Sequence, residues 1–265
     1  MTAHDEDKVR YAAVLAAARS FDHDRYLVAL LAPDAPRAGL MALAAFHGEI
    51  ARIPLTVTEP MIADIRLQWW RDALIQQGED PTGNPIADAM RAAMRQHKLP
   101  PHTLLEIIDG YERILEPDSL AGASALEAYC TSTQGAAFRL AARIVSGEAG
   151  FQPLLAAAGQ CYGRVQLLRA LPALAAQGRL PWAADETPEK LPVLIEEARV
   201  ELRRARQLVT EAPRDILPAL LPLALVEPYL KALQSLDVRI AEQRAEISAL
   251  GRAWRLLKAS ALRRF

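Results

Sequence analysis

The sequence has little of what most compact chemical sites are built from. Two cysteines, Cys130 and Cys161, in 265 residues exclude a disulfide framework. With no His or Cys cluster beside them they exclude a structural zinc site as well, and they fit a reducing, cytoplasmic compartment. Net charge is nearly absent. Against 32 acidic residues stand 31 basic ones, so the chain carries no basic footprint and no nucleic-acid partner is expected. No glycine-rich phosphate loop, Gly-x-Ser-x-Gly elbow or His-Glu-x-x-His motif occurs. Long apolar runs are missing too: the longest, residues 217–226, is broken by Pro218 and Pro222. That predicts no helix able to cross a bilayer. Residues 1–8 are polar and lack the apolar stretch of a signal peptide, so a soluble protein is expected.

What is there points to helices. Aromatic residues make up only 6% of the chain while hydrophobic residues reach 51%, with Ala and Leu dominant. Helical spacing runs through residues 9–20, 25–31, 37–53, 61–74, 86–96, 104–115, 126–145, 154–175, 191–210, 217–233 and 238–262. Asp34 is placed to cap the third of these, with Pro36 in its first turn, and Pro172 is expected to interrupt the eighth. Residues 54–60 read as a break, and residues 78–85 as a loop rich in Gly and Pro. No alternating strand, internal repeat or interdomain linker is visible. The expectation is all-α: one domain over residues 1–265, a bundle of roughly eight to ten helices around a central cavity.

The stretch 46–76 organises the reading. Trp69 and Trp70 are adjacent, and apolar residues recur on more than one face of residues 61–74, which predicts a buried or ligand-lining helix. Arg66 and Arg71 lie beside this aromatic surface, bracketed by Asp64 and Asp72. Of the five histidines only His47 sits in an apolar helix, and Glu49, two residues on, does not face it. Glu106, Asp109, Glu112 and Glu116 share one helix face. They are either a wet face or oxygen ligands for a divalent cation.

Residues 163–181, Gly-Arg-Val-Gln-Leu-Leu-Arg-Ala-Leu-Pro-Ala-Leu-Ala-Ala-Gln-Gly-Arg-Leu-Pro, resemble the second signature of the squalene/phytoene synthase family. Arg169, Gly178 and Arg179 fall in register with it, and Pro181 lies near the family's proline. Residues 45–52 fall where the first, Asp-rich signature belongs, and 126–130 resemble the Tyr-Cys element of the intervening helix. The resemblance spans roughly residues 24–233 and implies an isoprenoid-synthase-like fold.

The departures say more than the matches. The family's metal-binding aspartates fall on Ala51 and Arg52 in the first signature and on Ala170 and Leu174 in the second. The family ionises an allylic diphosphate with carboxylate-held Mg²⁺, a hard cation that needs oxygen ligands. Losing even one electrostatic stabiliser typically costs ~100 to 1,000-fold in rate. Within the family, residues 44–53 and 59–71 are similar to a non-catalytic branch, the mitochondrial respiratory complex I assembly factors and their bacterial relatives. The chain has no Arg- and Ser-rich transit peptide, which suits a bacterial cytoplasmic setting with contact at the inner membrane.

Two readings stay open. One is a synthase-like protein without turnover, metal or cofactor, acting as an assembly or lipid-binding factor for a membrane respiratory complex. In it, Arg66, Tyr129, Arg169 and Arg179 bind a lipid or prenyl phosphate without metal, although the arginines could equally pair with Asp64, Asp72 or helix C-termini. The other is an atypical prenyltransferase on allylic isoprenyl diphosphates that recruits metal through Glu49, Asp64 or the Glu106–Glu116 face. Residues 251–265 carry Arg252, Arg255, Lys258, Arg263 and Arg264 with no acid, and their apolar side holds Trp254 and Leu257. That pattern suits either a helix docked on the core or one lying on an anionic membrane surface.

Overall fold

A computed structural model describes residues 3–76, 80–147 and 150–265, all helices, turns and extended connections, with no strand among them. Met1 and Thr2 of the polar N-terminal stretch, and Gly78 and Glu79 of the expected loop, lie outside the described residues. The helical segments are α1 (Ala3–Phe21), α2 (His23–Leu31), α3 (Asp34–Thr56), α4 (Pro60–Ile75), α5 (Pro85–His97), α6 (Pro101–Glu112), α7 (Ala123–Cys130), α8 (Ala136–Ser146), α9 (Gln152–Ala176), α10 (Thr187–Leu208), α11 (Leu217–Leu220), α12 (Val226–Leu236) and α13 (Ala249–Leu262). A π-helical segment, Thr131–Gly135, joins α7 to α8, and α11 is a single turn between 3₁₀ pieces. The all-α bundle around a cavity is what the chain forms. One continuous set of buried apolar side chains runs through it from Val14 to Ala259.

Several boundaries differ from expectation for physical reasons. Pro33, not Asp34, precedes α3, and the Asp34 carboxylate instead pairs with Arg37 one turn on, at 2.6 Å. Helix α3 continues through Pro54, and α9 through Pro172. Each proline removes one helical hydrogen bond, and each ring stands at the cavity wall rather than in packed core. The stretch read as one helix from 238 to 262 is not one. A 3₁₀ piece, Asp237–Ala241, is followed by a non-helical strap over residues 242–248. Ser248 then starts α13, its hydroxyl accepting from the Gly251 amide at 3.1 Å.

Helix α4 is not buried all round. Ala63, Leu67, Trp70 and Leu74 repeat at helical spacing and face the core, where Trp70 meets Phe46 edge to face at 5.5 Å. The opposite side leaves Met61 74% and Ile65 62% exposed, with Ile62 and Trp69 beside them. By length and composition the run Arg214–Leu236, of mean hydropathy 1.5, could span a membrane, which the sequence reading did not expect. Its apolar window is 67% buried inside the protein and so serves as core.

The tightest backbone approach in the bundle is between Gly159 of α9 and Gly135 at the end of the π segment. A Cβ on Gly159 would stand 2.5 Å from the Gly135 Cα, with no flexible side chain to give way. Gly159→Ala is expected to destabilise the fold at the upper end of the ~1–3 kcal/mol typical of overpacking. Gly150→Ala, where an added Cβ meets nothing, should be close to neutral. Denaturant midpoints of the two variants check this; equal midpoints would contradict the close approach.

Candidate functional site

The ends and inner faces of α2, α3, α6, α7, α9 and α13, together with the strap, enclose a cavity of about 590 Å³. That is a size typical of small-molecule sites. Its lining divides into two polar clusters, each centred on an aspartate at the start of α2.

Asp22 is the N-cap of α2, accepting from the Arg25 amide at 3.1 Å. From it a closed ring of hydrogen bonds runs round the inner wall. His47 Nδ1 lies 2.9 Å from the Asp22 carboxylate, and its Nε2 lies 3.1 Å from the Tyr111 hydroxyl. Gln134 donates to that hydroxyl at 3.1 Å and accepts from Arg25 at 2.7 Å, and Arg25 returns to Asp22 at 3.0 Å. Every donor finds an acceptor if His47 is neutral and carries its proton on Nδ1. Burial would raise the Asp22 carboxyl, but the Arg25 guanidinium and the His47 hydrogen bond outweigh it and hold it far below the usual carboxylate range. Burial and Arg25 push His47 below its ordinary 6.5 against the pull of Asp22. Burial likewise drives the Tyr111 and Tyr129 hydroxyls up, so both are neutral donors at physiological pH.

Asp24 centres the second cluster and is only 5% exposed. It accepts from Tyr162 at 2.7 Å and Tyr229 at 3.0 Å, and pairs with Arg252 at 2.9 Å. Arg169 stands over the Tyr229 ring at 3.8 Å, donates to the Ala245 carbonyl of the strap and pairs with Glu246 at 2.9 Å. Glu246 also takes Arg252 at 3.0 Å and Arg244 at 3.1 Å. Arg25, Arg52, Arg169, Arg244 and Arg252 thus face three carboxylates, Asp22, Asp24 and Glu246, around one cavity. With His47 neutral and Arg52 paired with Glu49 behind the wall, one positive charge stays in excess, which suits an anion. An open groove of about 630 Å³ elsewhere has Glu106, Glu127 and Glu201 against Arg113, Arg164 and Arg204, a balanced set without that bias.

Of the four residues singled out from sequence, two meet here. Tyr129 and Arg169 line the cavity. Arg179 is buried outside it, its guanidinium donating to the carbonyls of Pro54, Val57 and Thr58, the C-terminal end of α3. That is the helix-terminus pairing weighed for it. Arg66 stands exposed on α4 and is not part of the lining, because the inward register of that helix is the Ala63–Leu67–Trp70 stripe. Asp22, Asp24, Arg25, Arg244, Glu246 and Arg252 were missed. Asp22 and Asp24 look in sequence like a solvated break, and the strap residues look helical. Ser248 before an apolar run was the one local signal that a new helix begins there.

The fit to the Mg²⁺ that the family fold implies is poor. Ala51, Arg52 and Ala170, the positions that the motif resemblance sets against the family's aspartates, line the cavity without an oxygen ligand, and Leu174 is packed in the core. The carboxylates that are present are taken: Asp22 by His47 and Arg25, and Asp24 by two tyrosines and Arg252. Glu49 is held by both Arg52 nitrogens at 2.7 and 2.8 Å. On α6, Arg71 binds Asp109 and Glu112, and Arg139 binds Glu106. No group of three His, Cys, Asp or Glu suited to a metal exists among the described residues.

The family model for squalene/phytoene synthase matches residues 18–193, and the chain belongs to that family. Its similar relatives include the NADH dehydrogenase (ubiquinone) complex I assembly factor 6 of Bos taurus, 28% identical over 241 residues, covering 83% of this chain and 72% of that protein. The Homo sapiens assembly factor 6 is 26% identical over 244 residues, covering 84% and 73%. Among solved structures, a dehydrosqualene synthase in complex with ligand superposes with a TM-score of 0.73 at 12% identity, covering 97% of this chain and 98% of that one. The squalene synthase HpnC from Alicyclobacillus acidocaldarius gives 0.67 at 16%, covering 88% and 95%. These two establish the shared fold.

The depressed His47 gives a signed prediction. Below pH 6.5 the unfolded chain takes up a proton there that the folded chain refuses, so stability falls as pH drops through that value. One such proton contributes at most ~1.4 kcal/mol per pH unit. His47→Gln should flatten that slope between roughly pH 5 and 6.5, leaving the share of His97, which burial also depresses. Urea denaturation across this range measures it, and an unchanged slope in the variant would show that His47 is not held neutral.

Proposed function

We propose that the protein, as a single domain over residues 1–265, binds a prenyl or lipid phosphate in this cavity without metal and without turnover. It would serve as an assembly factor for a membrane respiratory complex, in the cytoplasm and at the inner membrane surface. The observation that carries the reading is the exchange of charge at the site. Where the family's carboxylates would hold Mg²⁺ stand Ala51, Arg52 and Ala170, and the wall beyond them is rimmed by Arg169, Arg244 and Arg252. Guanidinium groups can take a phosphate in bidentate fashion and supply the neutralising charge themselves. The apolar share of the lining, including Phe21, Leu55 and Ile114, suits a hydrocarbon chain. Assembly factor 6 relatives supply the role, and the missing carboxylates supply the argument against ionisation chemistry. The prenyltransferase reading finds no free carboxylate set: Glu49 and the α6 acids are bound by arginines, and Asp64 is exposed on α4 outside the cavity.

Farnesyl diphosphate is expected to raise the melting temperature in EDTA, and millimolar Mg²⁺ to add nothing. Arg169→Ala should abolish most of the shift. Incubation with farnesyl and geranylgeranyl diphosphates plus Mg²⁺ should return both substrates unchanged. A condensed prenyl product, or a shift that appears only with Mg²⁺, would overturn the reading.

A further inference from the structure

Helix α13 presents two different faces. Leu256 and Ala259 are buried against the 3₁₀ segment Leu221–Leu225 and α2, and Arg252 reaches inward to Asp24 and Glu246. On the far side Leu250, Trp254, Leu257 and Ala261 follow one another at helical spacing and form a narrow apolar stripe. It points into solvent: Leu250 is 86% exposed, Trp254 67% and Leu257 50%. The helix is docked on the core, and docking uses up one face and leaves the Trp254 face free.

The charge around this stripe has one sign. Arg255, Lys258, Arg263 and Arg264 are all exposed, and residues 251–265 contain no acid. None of the four has a carboxylate partner among the described residues, whereas the cavity arginines, Arg71 of α4 and Arg139 of α8 are ion-paired. Arg206, exposed at the end of α10, donates to the Phe265 carbonyl at 3.0 Å and adds another cation beside them. The apolar side of α4 is the contrasting case: Asp64, Arg66 and Asp72 give it both signs, and nothing in the structure says what covers it.

We propose that the outward face of α13 is a docking surface for an anionic lipid bilayer, with Trp254 and Leu257 in the interface and Arg255, Lys258, Arg263 and Arg264 among headgroup phosphates. An exposed Trp-Leu stripe flanked only by cations is the composition of an interfacial helix. Long basic side chains beside it can lay their stems on the apolar surface and reach upward to phosphate. The strap that rims the cavity with Arg244 and Glu246 leads directly into α13, and Arg252 on its inner side lines the cavity. The surface itself does not depend on what the cavity holds.

The test is co-sedimentation of the full chain with phosphatidylcholine vesicles, with and without phosphatidylglycerol. Binding should require phosphatidylglycerol and weaken in high salt. Arg255→Ser/Lys258→Ser and Trp254→Ser/Leu257→Ser should each lower the partition coefficient on the order of tenfold or more. Their melting temperatures should match the parent, since these side chains face water. Ile65→Ser/Trp69→Ser on α4 should bind vesicles as the parent does. The proposal is overturned if no vesicle is bound, or if the α13 variants bind normally. It is also overturned if binding is lost with the α4 pair, which would move the surface. Vesicle binding intact in a protein that ignores farnesyl diphosphate would instead leave this surface standing and remove the cavity ligand.

Discussion

Everything in the site depends on two carboxylates buried two residues apart at the start of α2. A buried carboxylate is tolerated only where donors replace its lost water. Asp22 recruits Arg25 and His47 and through them Gln134 and Tyr111, so that α2, α3, α6 and the π segment are tied by one ring. Asp24 recruits Tyr162, Tyr229 and Arg252, which ties α2 to α9, α12 and α13. These obligations fix the helices around the cavity and, in the same stroke, fill the metal-binding capacity of both acids.

In the proposed reading the electrostatic logic of the site is reversed from that of a metal-dependent prenyl synthase. There, carboxylates concentrate cations and the cations hold diphosphate. Here the arginines stand at the wall directly, partly paired with Asp24 and Glu246 but in excess over them. Glu246 is shared by Arg169, Arg244 and Arg252 and lies on the strap at the rim. In the proposed reading, an entering phosphate competes with this carboxylate for the same guanidiniums. In that reading, arginines in place of a metal would keep anion affinity while giving up the strongly charged centre that ionisation needs.

The helices were legible because their apolar periodicity is local, and the family because residues 163–181 keep its spacing. Arg169 could be placed through that spacing, and Tyr129 through the Tyr-Cys resemblance of residues 126–130. Arg66 and Arg179 could not, since inward and outward registers of α4 differ by a rotation that tryptophans on both sides conceal, and Arg179 is spent on carbonyls of a helix more than a hundred residues away. The Asp24 cluster was invisible for the same reason. Its partners Tyr162, Tyr229 and Arg252 are distant in sequence, and the strap carrying Glu246 has helical composition but no helical hydrogen bond beyond the Gln243 amide. Pro54 and Pro172 misled in the opposite direction, because a cavity wall tolerates a missing backbone donor better than sequence punctuation suggests.

The most direct test is a crystal structure of the protein with a non-hydrolysable farnesyl diphosphate analogue and Mn²⁺, using anomalous scattering to locate the metal. The account predicts the diphosphate within hydrogen-bond reach of Arg169 and at least one of Arg52, Arg244 and Arg252, with the prenyl chain in the cavity and no anomalous peak there. Manganese bridging the diphosphate to Asp22, Asp24 or Glu49, or a ligand bound outside the cavity, would contradict it.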